Sequence, residues 1–99
     1  MTPLRVRLYI TAYSSSPDET DDTPFITASG KRVRHGIVAS NYLPLGAKIK
    51  IPDIFGETVF VVEDRMHRRF NDRIDIWMPT KRDALVFGKK LAEVEILLD

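Results

Sequence analysis

The run Val59-Phe60-Val61-Val62-Glu63-Asp64-Arg65-Met66-His67-Arg68-Arg69-Phe70-Asn71-Asp72-Arg73-Ile74-Asp75-Ile76-Trp77-Met78 reads as two strands joined by a basic, polar loop. Side chains on a strand alternate between its two faces. Ile74, Ile76 and Met78 therefore share one face of the second strand, and Arg73, Asp75 and Trp77 share the other. The same rule groups Phe60, Val62 and Asp64, which predicts that Asp64 prolongs a buried line toward the rim of a core. Each strand thus carries an aspartate beside apolar neighbours, and these two carboxylates are the first candidates for chemistry.

Working outward, residues 4–13 alternate well, with Val6, Leu8 and Ile10 opposed to Arg5, Arg7, Tyr9 and Thr11. Residues 36–40 form a short apolar strand, which Tyr42-Leu43-Pro44-Leu45-Gly46 interrupts with a proline and a glycine. Residues 47–52 send Ile49 and Ile51 inward and Lys48 and Lys50 outward. Residues 53–56 read as a turn and 57–63 as the strand that delivers Asp64. Residues 91–98 form a last strand, with Val94, Ile96 and Leu98 opposed to Glu93 and Glu95. Thr80 suits a helix N-cap with Asp83 in the first turn, Ala84 and Leu85 lining one side, and a stop near Gly88. Six short strands and one short helix predict a mostly β protein, a small closed barrel. Residues 14–24, with serines, prolines and the acids Asp18, Glu19, Asp21 and Asp22, read as a long loop.

The 99 residues, 43% of them hydrophobic, provide for one core and hence a single domain over 1–99. A formal net charge of +1 excludes a binder driven by overall charge, so electrostatics must act locally. Two basic clusters, Lys31-Arg32-Val33-Arg34-His35 and Arg65 to Arg69, stand against the acidic loop. A nucleic-acid partner is not expected. The absence of cysteine excludes disulfides and thiolate metal sites. His67 lies three residues from Asp64, but no spacing matches a known metal motif, and no metal or cofactor is expected. No apolar run approaches the roughly 20 residues of a membrane span. The first residues enter strand alternation directly, with no signal-peptide apolar region.

Several stretches resemble, in order, the three-aspartate (3D) domain family found in stationary-phase survival proteins of spore-forming bacteria and in the C-terminal part of membrane-bound lytic transglycosylase A. Thr11-Ala12-Tyr13 is similar to its opening strand motif, and Thr27-Ala28-Ser29-Gly30 with Gly36 to its threonine-glycine turn. Leu43-Pro44-Leu45-Gly46-Ala47-Lys48-Ile49-Lys50-Ile51 resembles its proline-leucine-glycine segment and following strand. Glu63-Asp64 and Arg73-Ile74-Asp75-Ile76 resemble its paired aspartates, with the same spacing. Ala84, Phe87-Gly88-Lys89 and Val94-Glu95-Ile96-Leu97 resemble its closing helix and strand. The resemblance covers residues 11–97. Two departures stand out: Ala39 or Asn41 occupies the place of a further aspartate, and Met66-His67 replaces paired glycines.

The resemblance implies a six-stranded double-psi β-barrel and a lytic transglycosylase acting on peptidoglycan glycan strands. Such an enzyme cleaves the β-1,4 link from N-acetylmuramic acid to N-acetylglucosamine and leaves 1,6-anhydromuramic ends. By similarity Asp75 is the single catalytic acid, Asp64 orients or tunes it, and Trp77 forms part of a wall that keeps water out. Tyr13, Thr27, Arg73 and Arg68 join Trp77 as substrate-binding candidates. The substrate implies an extracytoplasmic location, in the cell wall or periplasm; the oligomeric state stays open. Other readings stand beside these. Asp75 as an outward strand residue paired to Arg73, and Asp64 as a loop cap or partner of Arg65, are structural alternatives. Arg65, Arg68 and Arg69 suit either carboxylate recognition or a solvated loop. A non-catalytic glycan-binding barrel is the competing function, and a small binder of nucleic acid or anionic ligands, using the two basic clusters, a third.

Overall fold

The computed structural model describes residues 4–15 and 26–97. The acidic residues 18, 19, 21 and 22, and most of the predicted long loop, lie outside the described residues. In chain order the elements are β1 (Leu4–Tyr13), β2 (Ile37–Ala39), β3 (Lys48–Lys50), α1 (Pro52–Phe55), β4 (Val59–Asp64), β5 (Arg73–Trp77), α2 (Lys81–Phe87) and β6 (Lys90–Leu97). The strands close into a barrel in the order β1-β5-β2-β4-β3-β6. The pairs β1–β5 and β2–β4 run parallel, and the other neighbours run antiparallel. Among the described residues no helix is long and apolar enough to cross a membrane.

The period-two pattern places the core. Leu8 and Ile10 of β1, Val38 of β2, Ile49 of β3, Phe60 and Val62 of β4, Ile74 and Ile76 of β5, and Ala92 and Val94 of β6 form one buried cluster. Burying each large aliphatic side chain contributes about 1.5–3 kcal/mol. With these residues inside, Tyr9, Thr11 and Tyr13 on β1 and Arg73, Asp75 and Trp77 on β5 face outward.

Two local expectations change. Residues 53–56 are more than a turn: a single helical turn starts at Pro52, whose fixed φ suits a first helical position. It ends at Gly56, where φ is 61° and the backbone N–H donates to Pro52 O at 3.0 Å. Phe55 then packs edge-on to Phe60 and stacks on Phe87, covering part of the core. The barrel therefore carries two short helices where one was expected. In α2, Thr80 caps as predicted, its Oγ1 accepting from Asp83 N at 3.0 Å. Leu85, however, is 68% exposed, and Ala84 and Phe87 supply the inward side.

The larger correction lies in β4. Val38 pairs with Val62, but Ala39 pairs with Asp64, so Glu63 is an extra residue between two rungs. This is the pattern of a β-bulge, which shifts the alternation of the strand that carries it. Asp64 consequently leaves the inward line of Phe60 and Val62 and joins the outward row.

Candidate functional site

The strand register sets a row across four neighbouring strands. Thr11 on β1 pairs with Asp75 on β5, Asp75 with Ala39 on β2, and Ala39 with Asp64 on β4. Since register partners share a face, the two aspartates stand on either side of Ala39. The residue between them has no side chain beyond Cβ and is only 2% exposed.

Each carboxylate is held by identified donors. Thr11 Oγ1 donates to Asp75 Oδ1 at 2.9 Å. Asp64 Oδ1 accepts from the backbone N–H groups of Ala28 and Arg65, both at 2.9 Å, and its Oδ2 accepts from the Tyr13 hydroxyl at 3.1 Å. Tyr13 thus ties β1 to β4, strands that are not neighbours in the barrel. Burial, then the negative charge of Asp64 and the hydrogen bond to it, then the charge of Asp75, push the Tyr13 phenol well above its ordinary range. Both carboxylates therefore act on one hydroxyl, which stays protonated.

Of the expected substrate contacts, Trp77 pairs with Tyr13 in the β1–β5 register, next to the Thr11–Asp75 rung. Its Nε1 donates to Ser15 Oγ at 3.0 Å, and the His35 ring meets it edge-on at 5.8 Å between centroids. Trp77 also borders an apolar cleft of about 520 Å³ lined by Phe55, Phe60, Met78, Phe87 and His35. That lining includes neither aspartate of the row. Thr27 is buried, and its hydroxyl serves its own turn: it meets Ser29 Oγ at 3.0 Å and accepts from Lys31 N at 3.2 Å. Its part is to shape the loop that aims Ala28 N–H at Asp64. Arg73 directs its Nε to Asp72 Oδ1 at 3.1 Å and lies 4.4 Å over the Phe70 ring. Arg68 is exposed on the loop that follows β4.

Other residues that hold the site carry weaker sequence signals. Asn41 Nδ2 donates to the carbonyls of Met66 and His67 at 3.0 and 2.8 Å, while its Oδ1 accepts from Met66 N at 3.0 Å. Its amide thus acts as a strand-like bridge between two loops. Arg65 donates through one terminal nitrogen to the carbonyls of Ser40 and Leu43, on the same two loops. The backbone mirrors this, with Ser40 N donating to Asp64 O at 3.1 Å. The resemblance placed an acid at residue 39 or 41. The amide at 41 instead holds the loop after Asp64, a role that needs both a donor and an acceptor.

Chemically, the face offers two positioned carboxylates, a neutral phenol, a threonine hydroxyl and an indole within one patch. Among the described residues no three His, Asp or Glu side chains cluster as metal ligands would. No protein-family model matches the sequence, and no curated protein matches it.

Proposed function

We propose that this protein is a peptidoglycan lytic transglycosylase built on a double-psi β-barrel, with Asp75 as its single catalytic acid. The observation that carries the reading is the outward row Thr11–Asp75–Ala39–Asp64, with Tyr13 tied to Asp64 and close to both charges. Two parallel strand pairs within an otherwise antiparallel closed barrel support the double-psi assignment.

In the proposed reaction the Asp75 carboxyl gives its proton to the glycosidic oxygen as the bond from the muramic C1 breaks. The muramic C6 hydroxyl attacks C1 and passes its proton to the Asp75 carboxylate, closing the 1,6-anhydro ring and restoring the acid. No second carboxylate has to activate water, which distinguishes this route from the paired-carboxylate hydrolysis of ordinary glycosidases. Asp64 suits a positioning role, because three donors already engage it. Thr11 fixes the side chain of Asp75, and Trp77 with Tyr13 provides an aromatic flank for a sugar ring. The substrate would place the protein outside the cytoplasm.

A second reading, a non-catalytic glycan-binding barrel, is favoured by one feature: neither Ala39 nor Asn41, where the resemblance expects a further aspartate, supplies an acid. Digestion of purified peptidoglycan by the parent protein and by Asp75→Asn, with products read by mass spectrometry, separates the two. The enzyme reading expects anhydromuramic ends from the parent and none from the folded variant. Sedimentation of both proteins with the cell wall and no cleavage by either establishes the binding module.

A further inference from the structure

The outward face of β1 and β5 presents three rungs: Tyr9 with Arg73, Thr11 with Asp75, and Tyr13 with Trp77. Successive rungs on one face lie two residues, or about 7 Å, apart along the strand. Aromatic side chains flank Asp75 on one side, and the Tyr9–Arg73 rung flanks it on the other. Around that second rung the cations sit on aromatic faces. Lys89 Nζ lies 4.3 Å from the Tyr9 ring centroid, Arg73 lies 5.9 Å from Tyr9 and 4.4 Å from Phe70, and Arg69 lies 4.8 Å from Phe70. These contacts form a ladder in the order Lys89, Tyr9, Arg73, Phe70, Arg69.

The partners of these cations matter. A π face attracts a cation without cancelling its charge, whereas a carboxylate neutralises it. Elsewhere on the barrel some cations meet acids: Arg5 lies 3.5 Å from both Glu93 and Glu95, and Lys50 pairs with Glu57 at 2.9 Å. On the ladder the ion pair recorded among the described residues is Arg73 with Asp72 at 3.1 Å. The ladder thus keeps an excess of positive charge, held in place by rigid rings, about 7 Å from the Asp75 rung.

We infer that this strip is an anion-binding site that seats the carboxylates of peptide stems beside Asp75 when a glycan strand crosses the β1–β5 face. The choice of stem carboxylates rests on the cell-wall reading above; the cationic strip does not. Arg69 and Lys89 are both exposed, so Arg69→Gln with Lys89→Gln removes charge without touching the core or the carboxylate row. Binding is measured for parent and double variant against soluble glycan strands with intact stems, the same strands stripped of stems by an amidase, and polyglutamate as a glycan-free carboxylate probe. The parent should bind intact strands about fivefold more tightly than the variant, as expected for two exposed charges. That gap should close on stripped strands and shrink as salt screens it, and polyglutamate should discriminate the two proteins in the same way. Equal binding of parent and variant to intact strands and to polyglutamate overturns the strip. Discrimination on polyglutamate, with no binding to either kind of strand, overturns the assignment to stem carboxylates and the cell-wall reading with it.

Discussion

Replacing Tyr13 by phenylalanine should reveal how Asp64, with the charge of Asp75 nearby, holds the Tyr13 hydroxyl protonated. Near neutral pH the substitution removes the 3.1 Å hydrogen bond to Asp64, and a bond of this kind to a carboxylate stabilises by about 2 kcal/mol. The pH dependence follows from linkage. The folded-state pKa of Tyr13 is raised, so above the unfolded value of about 10 the unfolded chain releases a proton that the folded chain keeps. Stability from this group is therefore whole below about pH 10 and falls by about 1.4 kcal/mol per pH unit above it. The phenylalanine variant lacks that loss. The other two of the three tyrosines occur in both proteins, and their effects cancel in the difference. The stability gap of about 2 kcal/mol at pH 7 should then close near pH 11.5 and reverse above it. Urea denaturation followed by Trp77 fluorescence across this range measures the gap, and ultraviolet titration counts the tyrosines that ionise normally. A gap that stays constant with pH, or three ordinary phenol titrations, would refute the burial of a protonated Tyr13 hydroxyl against Asp64.

Ile74 is fully buried between the paired strands of the site, and Ile74→Ala should cost about 3–4 kcal/mol by thermal or chemical denaturation. Asn41→Asp replaces the amide that donates to the carbonyls of Met66 and His67 with an acceptor-only group. It should lose about 1–2 kcal/mol at neutral pH, measured by denaturation, and should speed hydrogen exchange in the loop after Asp64. Asp75→Asn should abolish cleavage while leaving the melting transition within a few degrees of the parent, because its neighbour Thr11 can donate to an amide oxygen as readily as to a carboxylate.

Much of the barrel was legible because its cause is local. Period-two alternation, with short apolar runs for β2 and β4, located the six strands, and the Thr80 hydroxyl with Gly88 marked both ends of α2. The bulge at Glu63 was not legible, because it arises from how β4 meets β2, a strand more than 20 residues earlier in the chain. That single offset decides which way Asp64 faces. The candidate residues Asp75, Trp77 and Tyr13 were readable from alternation together with the resemblance. The loop ties of Asn41 and the cation ladder were not, since Tyr9, Phe70 and Lys89 come from three distant segments and carry no joint pattern along the chain. The grouping of Leu85 with Ala84 on one side of α2 shows the opposite limit: helical spacing proposes a face, but Phe55 and Phe87 settle which residues the barrel end accepts.

The hydroxyl contacts that define the carboxylate face join residues 51 and 64 positions apart. A chain with such distant pairings forms them late, after long loops have closed, and tends to fold in milliseconds to seconds. No segment of the ribbon can hold the face by itself: β1 brings the hydroxyls, β5 and β4 bring one aspartate each, and β2 sits between them. Whatever reaction or recognition occurs there is consequently all or none with ring closure. A growing chain on the ribosome carries no complete version of it until β5 has emerged.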